Sequence, residues 1–343
     1  MILPWRLHGQ PSAMPYSEQG PTIMPEIPAD ADWLDPEAAW WAKLRRAEKL
    51  IKEVNQCCQA LNVEGIGWSL EREAEDDHSW RYTFRQPRPI PADLAATVGD
   101  AVHNLRSSLD NAAHFLAARH VQQTQHRDLT EDEEALTQFP ITKDGQGLDA
   151  WLSASRGKGT QKVHRHQVYG PREVKALRCV QPFSLSEEVG LIEEGEEASQ
   201  QVELDLLVHV GYALNSVWNI DKHRRLPRLT WRAGPTLWGD QNASWRSHLP
   251  RRAVLSDGQV LGTYRRNEGQ GRPDGHPTIR LAVHLDDDPY HRASGLTATL
   301  ERFYQDIGSW VLPRMFWVAE GNEPPIIITF GPPAPQAHPC QVP

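Results

Sequence analysis

The sequence predicts an α+β protein with a helical bundle core of three to four long helices, a β-hairpin and a later antiparallel sheet. Apolar residues recur with a period near 3.6 in the long segments 36–62, 91–120 and 204–223, which predicts amphipathic helices. Apolar and polar residues alternate instead in short segments around 80–86 and 228–287, which is typical of strands. The regular alternation of strand and helix that a doubly wound parallel sheet needs is missing.

Local signals mark where the elements begin and end. An Asp-Pro dipeptide at 35–36 supplies an N-cap and a first helical residue, so we expect the first helix to start there. Segments 67–75 and 80–86 flank a short polar turn and predict the hairpin. A last helix is predicted for 295–318, with an interruption at Pro313 because proline cannot donate a backbone hydrogen bond.

Composition divides the chain into four parts. Residues 1–31 are rich in proline and predict a disordered arm, and residues 331–343 predict a disordered tail. Residues 35–225 are expected to form the helical core with the hairpin and a site of polar motifs. Residues 226–330 are expected to form antiparallel strands followed by the C-terminal helix.

Charge, hydropathy and cysteine content exclude several classes of protein. The net charge of −9 argues against a dedicated nucleic-acid coat. Mean hydropathy is −0.58, and no apolar run approaches the length of a membrane span. The four cysteines lack the C-x-x-C spacing of a zinc ribbon. The first residues lack the basic region and apolar core of a secretory signal, so the sequence predicts a cytoplasmic protein.

A polar stripe beside the apolar face of the helix at 91–120 is the most informative feature. His103, Arg106, Asp110 and His114 fall within about 120° of one another around the helix axis. A solvated face usually carries Glu, Lys and Gln, whereas these side chains have short or planar heads suited to fixed hydrogen bonds. We therefore take these four as candidate catalytic residues, and Asn104 as a candidate substrate-binding residue.

A second polar stripe lies in the helix predicted for 204–223. Asn215, Asn219 and Lys222 recur there at spacings of three and four, beside another apolar face. We expect the two helices to pack side by side, so that their polar stripes converge. This prediction adds Lys222 and His223 to the catalytic candidates. It adds Asn215, Asn219, Asp221 and Arg224 to the substrate-binding candidates.

Three blocks, "GDAVHNLRSSLD", "FPI" and "NSVWNIDKHR", occur in that order. Over about residues 40–225 the chain resembles a large set of uncharacterised bacterial proteins that share these blocks, which implies a shared architecture and a shared site. It is also loosely similar to the HEPN class of helical RNA-cleaving domains, which carry an Arg and then a His on one helix. Arg106 and His114 are the nearest equivalents, although seven residues separate them.

The first functional hypothesis is a metal-independent, HEPN-like site that cleaves RNA, as a ribonuclease-type phosphodiesterase, or that only binds phosphate. Arg106 or Lys222 would stabilise charge on the phosphate, and Asp110 would orient a neighbouring His or Arg. The acid–base candidates are His103, His114 and His223. The basic segments 156–178 and 222–232 would hold the RNA backbone. No cofactor is predicted, and the expected partners are RNA and a second copy of the chain.

Two alternatives stay open at this point. The stripes could form a satisfied interhelical network in a non-catalytic interaction module. They could also hold a metal ion in the bundle core, because imidazoles and carboxylates are common metal ligands there. The candidate ligands in that case are His103, Asp110, His114, Asp221 and His223.

Overall fold

The computed structural model confirms the α+β class, because several helices accompany sheets whose described strand pairs are antiparallel. It describes residues 35, 38–63, 65–157, 162–184, 211–219, 226–233, 243–249, 253–266, 281–286 and 295–324. The predicted arm at 1–31 and the predicted tail at 331–343 lie outside these residues.

The helices follow the periodic segments of the sequence, with shorter helices between them. They are α1 (Ala39–Leu61), α2 (Ala92–Gln125), α3 (Glu131–Glu134), α4 (Gly145–Leu152), α5 (Arg165–Val168), α6 (Pro171–Cys179), α7 (211–219), α8 (Leu296–Asp306) and α9 (Leu312–Ala319). The helix α7 is the described part of the helix predicted for 204–223.

The long helices α1 and α2 pack along each other and form the centre of the core. The apolar face predicted for α2 is confirmed, because all six of its residues are buried: Val98, Val102, Leu105, Leu109, Ala112 and Leu116. The expected start of the first helix at 35–36 is wrong, since α1 begins at Ala39. The Asp35 carbonyl instead accepts a hydrogen bond from the Ala38 N–H at 3.1 Å, in a turn that precedes the helix.

The predicted hairpin is present and joins a larger sheet. Its strands are β1 (Ser69–Asp76) and β2 (Ser79–Arg85). The other strands are β3 (Ser155–Arg156), β4 (Val163–His164), β5 (Leu229–Ala233), β6 (Ala243–Ser247), β7 (Val254–Leu255), β8 (Val260–Arg266) and β9 (Leu281–Leu285). The sheets have the orders β1-β2-β8-β6, β7-β5-β9 and β3-β4. The hairpin and part of the later antiparallel sheet are therefore continuous.

A turn between β7 and β8 sends the chain from one sheet to the other. Gly258 has φ +78°, a left-handed conformation that glycine adopts without a steric penalty. The Gln259 N–H closes this turn on the Ser256 carbonyl at 3.1 Å. The two strands that flank this turn pair with different neighbours.

The C-terminal helix is interrupted just before Pro313, close to the predicted position. A π-helical turn at Ile307–Val311 connects α8 to α9, and the Leu312 N–H bonds the Ile307 carbonyl. Pro313 has no N–H for the carbonyl four residues before it, and the wider turn accommodates its ring. In the part of the chain that the structure describes, no helix is both long and apolar enough to cross a membrane.

Candidate functional site

The polar stripe of α2 forms hydrogen bonds with the backbone of the FPI block, residues 139–141. The Asp110 carboxylate accepts a hydrogen bond from the Phe139 N–H at 2.9 Å, and the Arg106 Nη2 group donates to the Phe139 carbonyl. The same Nη2 atom lies 3.1 Å from Asp110 Oδ1. This i,i+4 pair therefore satisfies both backbone groups of Phe139, which belongs to neither a helix nor a strand. Two of the three sequence blocks are thus in direct contact.

Gln181, which sequence reasoning missed, holds the residues that follow Phe139. Its side chain is fully buried; Nε2 donates to the Pro140 carbonyl at 3.0 Å, and Oε1 accepts from the Thr142 N–H at 3.1 Å. Nε2 also donates to the Leu177 carbonyl of α6 at 3.0 Å. Side chains from two parts of the fold therefore hold residues 137–142, which we name the clamped segment.

Arg106 is a buried cation whose hydrogen bonds are incomplete. The residue is 5% exposed, and its guanidinium carbon lies 5.0 Å from the Trp218 ring centroid and 5.8 Å from that of Phe139. Burial lowers the pKa of Arg106, while the charge and hydrogen bond of Asp110 oppose that shift. Within the described residues, the buried Nε and Nη1 atoms have no hydrogen-bond acceptor. Both atoms are buried, so an acceptor supplied by a ligand would reach them only after neighbouring side chains move.

His114 contacts the clamped segment one turn beyond Asp110. Its Nδ1 atom lies 3.1 Å from the Thr137 hydroxyl oxygen, and that hydroxyl donates to the Glu134 carbonyl at 2.7 Å. The imidazole is partly exposed, whereas Thr137 is buried. Among the described residues, Thr137 holds His114 at Nδ1.

Tyr169 places a second unpaired donor close to the stripe. The residue is 2% exposed, and its hydroxyl has no hydrogen-bond partner among the described residues. Burial raises the pKa of Tyr169, and the negative charge of the Asp110 carboxylate adds to this rise. The positive charge of Arg165 acts in the opposite direction, but the net shift is upward. The phenol is thus electrostatically coupled to Asp110. No motif marked it in the sequence.

The other two candidates on α2 do not join this group of contacts. His103 is exposed, and its Nε2 atom lies 3.4 Å from the hydroxyl of Ser107, the residue one turn further along. The Asn104 amide donates to the Asp100 carbonyl at 2.8 Å, a local bond within the helix. The stripe therefore has two parts. His103 and Asn104 form hydrogen bonds only with neighbours on α2 among the described residues, whereas Arg106, Asp110 and His114 contact the clamped segment.

The second stripe reaches the first through a residue that was not predicted. Trp218 in α7 covers the Arg106 guanidinium, and it lies between the candidates Asn215 and Asn219 in the sequence. Both asparagines are partly exposed. The four remaining candidates, Asp221, Lys222, His223 and Arg224, lie outside the described residues. A Trp flanked by two Asn on a polar stripe is the signal that could have found this contact.

Three of the six described Lys and Arg side chains in the segment 156–178 are paired with carboxylates. Arg156 bonds Asp132 at 3.1 Å, Lys175 bonds Glu323 at 2.8 Å, and Arg178 bonds Asp149 at 2.8 Å. Arg165 is buried and donates to the carbonyls of Leu136 and Trp151, both at 2.7 Å. These contacts reduce the positive charge that the segment offers to an RNA backbone.

The metal alternative gains no ligand set in the part of the chain that the structure describes. Among those residues, His, Cys, Asp and Glu do not gather in groups of three or more that could hold an ion. Two of its five candidate ligands, Asp221 and His223, lie outside the described residues.

No model of a protein family, no curated protein and no solved structure matches the chain. The resemblance carried by the three sequence blocks, and the looser one to HEPN domains, therefore remain predictions.

Proposed function

We propose that the protein binds a phosphate group of an RNA strand at Arg106. The single observation that carries this proposal is the buried guanidinium with Nε and Nη1 unpaired within the described residues. A buried charged donor without an acceptor is costly, so such donors are expected to meet an acceptor when the site is occupied. A phosphate offers several charged oxygen acceptors, which suits the planar fork of Arg.

The surroundings of Arg106 support an anionic ligand. Asp110 holds Nη2 and so orients the guanidinium, which is the role proposed for this carboxylate. Trp218 covers the face of the guanidinium. A ligand would therefore meet Nε and Nη1 in the plane of the group, after the residues that bury these two atoms move aside. The sequence that follows α7 adds positive charge at Lys222, Arg224 and Arg225, and such charge favours a polyanion over a small neutral ligand.

Binding of labelled single-stranded RNA, measured by fluorescence anisotropy, tests the proposal. The variant Arg106→Lys keeps the charge but loses the planar fork, so we expect affinity to fall by on the order of tenfold, equivalent to about 1.4 kcal/mol. The matched control is Arg165→Lys, because Arg165 is also buried and bonds backbone carbonyls. Equal RNA affinity of the wild type and Arg106→Lys would refute the proposal.

Competition and salt titration identify the source of the bound phosphate. Binding of RNA should weaken steeply with salt if several phosphates are contacted. Displacement of RNA by inorganic phosphate at low concentration would indicate a site for a single free phosphate. Loss of RNA binding upon addition of a chelator would support the metal alternative instead. Light scattering on the bound species distinguishes a monomer from the proposed homodimer.

A non-catalytic interaction module is the second candidate, because the clamped segment is held by an extensive polar network. Asp110, Arg106 and Gln181 each bond its backbone, which is the arrangement expected of a structural network. On this alternative Arg106→Lys lowers the unfolding free energy and leaves RNA affinity unchanged. The same pair of variants therefore separates the two functions.

A further inference from the structure

We infer that Thr137 is a positioning residue that fixes His114 as the Nδ1–H tautomer and leaves Nε2 as a proton acceptor. The role of the imidazole rests on the proposed function, since it needs RNA at the Arg106 site. The tautomer itself follows from the hydrogen bonds alone, so the two parts can fail separately.

The proton of a single hydroxyl decides the tautomer. The Thr137 hydroxyl carries one proton and donates it to the Glu134 carbonyl at 2.7 Å. The same oxygen lies 3.1 Å from His114 Nδ1, and it can only accept in that contact. Nδ1 must therefore carry the proton. A neutral imidazole has one N–H, so the lone pair is at Nε2.

Contacts on both sides hold Thr137 in place. Thr137 is 5% exposed, so water does not compete for its hydroxyl. Arg165 Nε bonds the carbonyl of the preceding residue, Leu136, at 2.7 Å. Asp110 bonds the backbone N–H of Phe139, two residues further on. The Thr137 oxygen is thus a fixed acceptor for the imidazole.

His114 follows Arg106 by eight residues on α2, a rise of about 12 Å, so a ligand that reaches both must span two helical turns. Successive i,i+4 steps from Arg106 through Asp110 lead to His114 along one side of the helix. In RNA, the 2′-hydroxyl lies next to the phosphate and can lose its proton to a base. In that step O2′ bonds phosphorus as its proton passes to Nε2. The phosphorus bond to the 5′-oxygen breaks, and that oxygen takes a proton from water.

Nitrogen NMR of the full chain, labelled with ¹⁵N-histidine, tests the tautomer directly. We expect the neutral form of His114 to show a protonated Nδ1 and an unprotonated Nε2, with the resonances assigned by His114→Gln. Thr137→Val removes the acceptor while conserving shape, so the Nδ1–H population should fall. Thr137→Ser keeps the hydroxyl and should restore it. A protonated Nε2 in the neutral form of the wild type, or an unchanged tautomer in Thr137→Val, would overturn the inference.

Turnover of RNA tests the role of the imidazole. We expect Thr137→Val to lower kcat by on the order of tenfold with KM unchanged, less than the 10²–10⁴-fold that a complete general base supplies. Thr137→Ser should recover kcat. If the wild type binds RNA through Arg106 but does not cleave it, the proton-acceptor role is overturned while phosphate binding stands. If the wild type does not bind RNA, the proposed function fails with it, and the NMR result still decides the tautomer.

Discussion

The Asp110 carboxylate accepts the Phe139 backbone N–H at 2.9 Å, across 29 residues of sequence. Arg106 donates to the carbonyl of the same residue. Two side chains of α2 therefore bond both the N–H and the carbonyl of one residue in the clamped segment. The contact explains why a basic residue precedes an acidic one on this helix, an order that is less favourable for an isolated surface pair. The four-residue spacing of Arg106 and Asp110 lets both side chains bond the backbone of Phe139.

Removing the Asp110 carboxylate should leave the buried Arg106 charge uncompensated. We expect Asp110→Ala to lower the unfolding free energy by about 3 kcal/mol, the lower end of the range for a broken buried pair. The lower end applies because the Asp110 side chain is 29% exposed. Urea denaturation measures the change. Asp100→Ala, an exposed carboxylate on the same helix, is the control, and equal effects of the two variants would contradict this account.

Gln181 should protect the backbone of the clamped segment from exchange. In Gln181→Leu the Pro140 carbonyl and the Thr142 N–H lose their partner, so we expect a loss of about 2–4 kcal/mol for two unsatisfied groups. Amide hydrogen exchange at Thr142 should accelerate. Gln138→Leu alters an exposed amide of the same segment and should change neither quantity. Retained protection at Thr142 in Gln181→Leu would refute the clamp.

The sequence was sufficient for features that depend on local periodicity and insufficient for contacts between distant segments. The buried face of α2 follows from residues three and four positions apart, and every predicted member of it is buried. The bonds from Asp110 to Phe139 and from Gln181 to Pro140 both end on the clamped segment, which lacks regular structure where they bind it. No periodicity describes such segments, so their partners become visible only in three dimensions.

The ion pair between Arg127 and Glu133 should make stability depend on pH in the acid range. The Arg127 hydrogen bond, with further bonds from Thr130, lowers the pKa of Glu133 from 4.5 to about 2. Because the pKa of Glu133 is lower in the folded state, the ionised carboxylate stabilises the fold at pH values above the unfolded-state pKa of 4.5. That stabilisation is lost as the pH falls from about 4.5 towards 2. The wild type should have a higher free energy of unfolding than Glu133→Gln above pH 4.5, and this difference should disappear as the pH falls towards 2. Glu131→Gln, at an exposed neighbour, is the control for the loss of one carboxylate charge.

Gly170 should not tolerate a methyl group, because α2 and α6 approach each other closely there. A Cβ atom at Gly170 would lie 2.4 Å from His120 Cε1 and 2.6 Å from Glu173 Oε2. We expect Gly170→Ala to cost about 1–3 kcal/mol through overpacking. Gly295→Ala is the control, since its nearest neighbour would be at an ordinary 3.6 Å. Thermal unfolding measures both, and equal melting temperatures would show that the helices can separate without cost.

The central claim is that the unpaired Nε and Nη1 groups of Arg106 bind phosphate, and NMR of ¹⁵N-arginine side chains tests it most directly. The Arg106 Nε–H resonance, assigned by its loss in Arg106→Lys, should shift when single-stranded RNA is added. The Arg165 Nε–H is the internal control, because it already donates to the Leu136 carbonyl at 2.7 Å and should not move. An Arg106 resonance that stays in place at RNA concentrations that saturate binding would contradict the account.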